Sequence, residues 1–93
     1  MLIALDYDGT YTADRALFDE FIASAIRSGH EIIMVTMRFE SEDYGVSQMI
    51  EKGVSKVIFT GRRAKQPFLA AQEVYPDIWI DDKPSWITND CLT

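Results

Sequence analysis

The chain has 93 residues, 47% of them hydrophobic, and carries a net charge of −6 with a pI near 4.5. That length fits a single domain with one modest core. The acidic balance argues against tight, sequence-independent nucleic-acid binding, which needs Lys and Arg to neutralise phosphates, and the lone Cys91 excludes a disulfide framework and a Cys-based zinc site.

The first expected element is a strand at Leu2–Leu5. It runs straight into Asp6 with no basic flank and no small-residue cleavage site, so it does not read as a signal peptide. No apolar run approaches the roughly 20 residues of a bilayer span. A cytoplasmic protein with no membrane partner is expected. Asp14 can then cap a helix whose apolar stripe is Leu17, Phe18, Phe21, Ile22, Ala25 and Ile26, and Gly29 fits the left-handed stop behind it.

A second strand is expected at Glu31–Val35, followed by a helix over Ser41–Lys52 that turns Val46, Met49 and Ile50 inward and ends at Gly53. The third strand falls at Lys56–Phe59. A helix over Ala64–Tyr75 then gathers Phe68, Ala71, Gln72 and Tyr75 on one side and stops at Pro76. Asp77–Ile80 is the fourth strand. Four short β-rich runs alternating with helical segments predict a parallel sheet with helices on both faces. Ligands of such sheets bind at the carboxyl ends of the strands.

Those ends hold polar residues. Asp6 and Asp8 follow the first strand, Thr36 and Arg38 the second, Thr60 to Arg63 the third with Lys65 opening the next helix, and Asp81 and Asp82 the fourth. A cluster of carboxylates is repulsive by itself and is relieved by a hard divalent cation, for which oxygen ligands favour Mg²⁺. The cation draws an anion, and a phosphoryl group suits it because its transfer needs mainly charge neutralisation. Singly, each residue has an ordinary reading: a turn at Asp8-Gly9, a solvated strand end at Asp81-Asp82, a surface lysine. Their joint order along the strand ends favours a site.

Asp6-Tyr7-Asp8-Gly9-Thr10 after an apolar strand resembles the first motif of the haloacid dehalogenase-like superfamily, most of whose members are phosphatases. Thr36 looks like its second motif, Lys65 its third and Ile80-Asp81-Asp82 its fourth, so the resemblance spans residues 2 to 82. It implies a three-layer α/β/α Rossmann-like core with strand order 3-2-1-4. It also implies that Asp6 is the nucleophile, forming an aspartyl-phosphate, and that Asp8 is the general acid and then the base. Asp8 would add its main-chain carbonyl to Mg²⁺ beside Asp6. Asp82 aligns with the direct metal ligand, with Asp81 behind it or taking its place. Thr36 and Lys65 would hold the phosphoryl group. Because relatives acting on haloacids lack the second acid, Asp8 favours phosphate ester hydrolysis.

The chain departs from the family in two places. Neither the short stretch Tyr11–Asp14 nor the segment after the third strand leaves room for a cap domain. The resemblance is therefore to capless members, whose open sites often accept macromolecular phosphates. It implies a small or macromolecular phosphorylated substrate such as a nucleotide or a polynucleotide end, with nucleic acid entering only as a substrate. After the fourth motif only Lys83–Thr93 remain, where many relatives add a helix and a strand. Pro84, Trp86 and Ile87 are read as covering the sheet edge or packing on a second subunit, with Trp86 as core ahead of a base-stacking platform. A core this small points to a homo-oligomer as a source of stability.

Arg38 is expected to touch the non-reacting part of the substrate, while Arg62 and Arg63 read as solvated loop. A signalling receiver domain is the rival reading from another class, but it expects an acid at the end of the third strand, where Thr60 and Gly61 stand. A Mg²⁺-binding module without turnover, serving assembly or regulation, is the other alternative.

Overall fold

In the computed structural model, which describes residues 1–92, strands β1 (Leu2–Leu5), β2 (Glu31–Thr36), β3 (Val57–Phe59) and β4 (Ile78–Ile80) form one parallel sheet in the order β3-β2-β1-β4. Helix α1 (Arg15–Arg27) links β1 to β2, a 3₁₀ segment (Val46–Lys52) lies between β2 and β3, and α2 (Lys65–Ala70) links β3 to β4. A last short helix, α3 (Ser85–Thr88), packs against α2. The fold is a mixed α/β, Rossmann-like one, as the alternation predicts.

The central strands β1 and β2 are buried on both faces, their side chains alternating between the two sides, while the edge strands β3 and β4 are half-buried. Ile3, Leu5, Ile32 and Met34 meet Ile22 and Ala25 of α1 and Val46 and Met49 of the 3₁₀ segment. Ala4, Ile33 and Val35 face the other way and meet Leu69 of α2. Two apolar layers therefore sandwich one sheet. Of the stripe expected on α1, Phe18, Phe21, Ile22 and Ala25 pack inward, whereas Leu17 and Ile26 are exposed. A 13-residue helix beside a four-stranded sheet offers a narrower buried face than six residues need.

The ends of α1 follow local chemistry. The Asp14 carboxylate accepts from Leu17 N–H at 3.1 Å, and beyond the helix Gly29 takes φ +85° while His30 N–H donates to the Ala25 carbonyl.

The segment expected as one helix over Ser41–Lys52 is divided. The Asp43 carboxylate accepts from Ser47 N–H at 2.8 Å, and Tyr44 and Gly45 take left-handed φ values of 41° and 96°. An aspartate that bonds the backbone ahead of it offers an alternative to continuing a helix. Only the Val46–Lys52 turn packs on the sheet, and Ile50 points to solvent.

Helix α2 is also shorter than its pattern, ending at Ala70 rather than at Pro76. Val74 N–H donates to the Leu69 carbonyl and Glu73 N–H to that of Ala70, a Schellman closure with Glu73 at φ +59°. Ala71, Gln72 and Tyr75 are exposed as a result, and Leu69, Phe68 and Val74 supply the apolar contact. A glycine usually marks such a stop; here a glutamate fills it, so the pattern gives no warning.

That substitution carries a cost, because a side chain at positive φ loses about 1–2 kcal/mol relative to the right-handed region. Glu73→Gly is expected to raise the unfolding free energy by roughly 1 kcal/mol, measured by urea denaturation. An unchanged or lowered midpoint would contradict the assignment of this closure.

Candidate functional site

Leu5 of β1 and Ile80 of β4 are register partners, and Asp6 N–H donates to the Ile80 carbonyl at 3.0 Å. The next residues, Asp6 and Asp81, are thereby brought side by side at the carboxyl ends of adjacent strands. The chain winds from β1 to β2 in one direction and returns from β3 to β4 on the other side of β1, so this is where the strand order reverses. Alternation turns both carboxylates toward the α2 side, where Lys65 opens that helix.

The Lys65 ammonium donates to Asp6 Oδ1 at 2.8 Å and to Asp81 Oδ2 at 2.6 Å. It is 1% exposed. A buried charge is tolerated only with partners of this kind. The other oxygen of Asp81 accepts from Lys83 N–H at 2.9 Å. Asp90 reaches back from the tail to accept from Ala64 N–H at 2.7 Å, fixing the chain just before Lys65.

Thr10 completes the cluster. Its hydroxyl oxygen lies 3.0 Å from Asp6 Oδ2 and 3.0 Å from Asp82 Oδ1, and it accepts from Asp82 N–H at 3.0 Å. A hydroxyl has one proton, so it donates to one carboxylate at a time. Gly9 permits this approach: its φ is +79°, and a Cβ there would stand 2.5 Å from Asp82 Oδ2. Thr10 stands in the first motif, and no role is read for it from sequence alone. Its i+4 spacing from Asp6, across a tight glycine turn, was the available signal.

Asp6, Asp81 and Asp82 each offer an oxygen within 4.8 Å of the other two. With bonds of roughly 2.1 Å, neighbouring ligands of an octahedral Mg²⁺ stand about 3.0 Å apart and opposite ones about 4.2 Å, so the three oxygens would have to draw together to share such an ion. Charge agrees: three carboxylates face one ammonium, a shortfall of two positive charges. Both oxygens of Asp81 accept, from the Lys65 ammonium and from Lys83 N–H, and both of Asp6 lie against Lys65 and Thr10. An ion at Asp6 would therefore compete with bonds already made there, whereas Asp82 is held through Oδ1.

Asp8, Arg38 and Thr36 stand outside this cluster. The Asp8 carboxylate pairs with Arg38 in a fork, Nε to Oδ2 at 2.9 Å and Nη2 to Oδ1 at 2.7 Å. Arg38 Nη1 donates to the carbonyls of Glu42 and Asp43, and the guanidinium lies 5.3 Å from the centroid of Tyr7. Arg38 thus orients Asp8. Thr36, 1% exposed, accepts from Arg38 N–H at 3.3 Å and makes no hydrogen bond to the carboxylates. Tyr11 is core: it is 2% exposed, stacks on Tyr7 at 5.7 Å and donates to Asp19 at 2.6 Å.

The tail differs from its expected place. Trp86 is half-buried and lines an opening beside Asp8 together with Arg38, Arg62 and Tyr44, rather than sitting in the core or over the sheet edge. Arg62 is no solvated loop residue: it donates to the Met37 carbonyl and to Glu42. Comparisons with family models, with curated proteins and with solved structures gave no match. Among the described residues no helix is long and apolar enough to cross a membrane.

Burial raises the Asp6 carboxyl from its ordinary 3.8 to about 7, against the opposing pull of Lys65. Between about pH 4 and about pH 7 the metal-free folded chain therefore holds a proton that the unfolded chain has released. This group's contribution to stability is full below pH 4 and falls as pH rises through 7, by an amount on the order of a few kcal/mol. Denaturation midpoints of metal-free protein across that range are expected to fall more steeply for wild type than for Asp6→Asn. Parallel profiles would contradict the buried-acid account.

Proposed function

We propose that this chain is a Mg²⁺-dependent phosphatase that hydrolyses a phosphate monoester through an aspartyl-phosphate on Asp6. The observation that carries the reading is the Asp6 carboxylate at the strand-order reversal, gripped by Lys65 on one oxygen and reached by Thr10 on the other. Asp6 and Asp82, with the main-chain carbonyl of Asp8, are the residues that would hold the ion. Bound there, Mg²⁺ would neutralise charge on the phosphoryl oxygens facing Asp6.

The chain's own groups account for the rest. An Asp6 carboxylate oxygen attacks phosphorus and the bond from phosphorus to the ester oxygen breaks; Asp8, released from its fork with Arg38 and protonated, gives its proton to the departing alkoxide. Lys65 fixes the direction of the nucleophile and offers positive charge where negative charge gathers. Water then attacks the phosphorus of the aspartyl-phosphate and loses its proton to Asp8. The Asp6–phosphorus bond breaks, inorganic phosphate leaves, and both carboxyl groups regain their starting states.

The fork between Asp8 and Arg38 favours a second reading, a Mg²⁺-binding module without turnover, because it holds the acid away from the cluster. Kinetics separate the two. The wild-type protein is expected to release phosphate from p-nitrophenyl phosphate and from an alkyl phosphate only with Mg²⁺, and Asp6→Asn to abolish both. Asp8→Asn is expected to lower kcat by roughly 10²–10⁴ on the alkyl ester and much less on the aryl ester, whose leaving oxygen needs little protonation. No Mg²⁺-dependent release from either substrate would reject the phosphatase and leave the binding module.

A further inference from the structure

An opening of about 350 Å³ begins at Asp8 and is walled by Met37, Arg38, Tyr44, Arg62 and Trp86. Its size lies near the lower end of the roughly 300–1,000 Å³ that small-ligand sites span. It is large enough for one compact group and too small for a polymer segment.

Its charges are already matched. Arg38 is paired with Asp8, and its Nη1 bonds two carbonyls. Arg62 is paired with Glu42 at 3.1 Å and bonds the Met37 carbonyl at 2.8 Å. Neither guanidinium is free to receive a second phosphate. What remains for a ligand is aromatic surface, the half-buried ring of Trp86 and Tyr44, which is 81% exposed; Met37 closes the floor, buried and with its sulfur accepting from the Thr60 hydroxyl. The Lys83 ammonium stands 5.6 Å from the centroid of the Trp86 ring, which leaves one ring face for a ligand. A ring beside a slot whose guanidinium and carboxylate groups are already paired suits a flat, uncharged partner, since stacking favours any π-face.

The slot is also continuous with the acid that protonates the leaving oxygen under the reading above. Whatever departs from phosphorus next to Asp8 would depart toward Trp86 and Tyr44. Left-handed backbone at Tyr44 (φ 41°) and Arg62 (φ 72°) places both side chains on this rim, and such strain persists only where its surroundings fix it.

We propose that this opening receives the leaving group of the ester and that the group is a nucleoside, so that the substrate is a nucleoside monophosphate. The inference rests on the phosphatase reading for the direction of departure. The nucleoside site itself stands on the slot alone.

AMP and ribose 5-phosphate differ only by the base, and adenosine probes the slot without phosphorus or metal. Wild type is expected to hydrolyse AMP with kcat/KM roughly tenfold above ribose 5-phosphate, a factor within the 1–3 kcal/mol of one base–aromatic stack. Trp86→Ala is expected to bring that ratio close to one. Tyr44→Ala, at an exposed position where folding is not at stake, is expected to reduce it. Adenosine should quench tryptophan fluorescence saturably in wild type and not in Trp86→Ala. Equal rates on the two esters without adenosine quenching would overturn the inference and leave the phosphatase intact. Adenosine quenching without phosphate release from any ester would overturn the phosphatase and retain the nucleoside site.

Discussion

Lys65 is the constraint on which the site depends. A fully buried ammonium is costly unless it is paired, and it is paired here with two carboxylates from two different strands. The pairing works in both directions. Without Lys65, Asp6 and Asp81 would face each other at the end of a hydrophobic sheet with no compensating charge. Without the two acids, α2 could not open on a buried lysine. The Leu5–Ile80 register sets the acids side by side, and the Asp90 bond to Ala64 N–H holds the helix start that delivers the lysine.

The same cluster explains its own incompleteness. Asp82 adds a third carboxylate through Thr10, so that one ammonium faces three acids. The imbalance appears in Asp6, whose burial outweighs the attraction of Lys65 and lifts its carboxyl to about 7. A proton and a divalent cation are alternative remedies for one excess of negative charge. The glycine turn at Gly9, which lets Asp82 come close, keeps that excess concentrated.

Much of this was legible in the sequence because it depends on short-range pattern. Four apolar runs gave the strands, Asp14 and Gly29 gave the ends of α1, and polar residues directly after the strands marked the edge that carries the site. Other features depend on backbone closures that residue type does not announce. Glu73 ends α2 in a conformation usually taken by glycine, and Asp43 divides a helical pattern by bonding ahead to Ser47. Tertiary partners were the least visible part. Nothing local to Arg38 shows that it closes on Asp8, and nothing local to Trp86 shows that the tail returns to line an opening beside the same acid.

We propose that Asp6, Asp81 and the exposed Asp82 form a site short of two positive charges that one Mg²⁺ would fill. Calorimetric titration of the metal-free protein with Mg²⁺ near pH 6, repeated in buffers of different ionisation enthalpy, tests it directly. The account predicts one ion per chain with net release of protons, because the ion displaces the one held on Asp6, and no such binding in Asp6→Asn. Absence of binding at millimolar Mg²⁺, or binding that Asp6→Asn leaves unchanged, would contradict it.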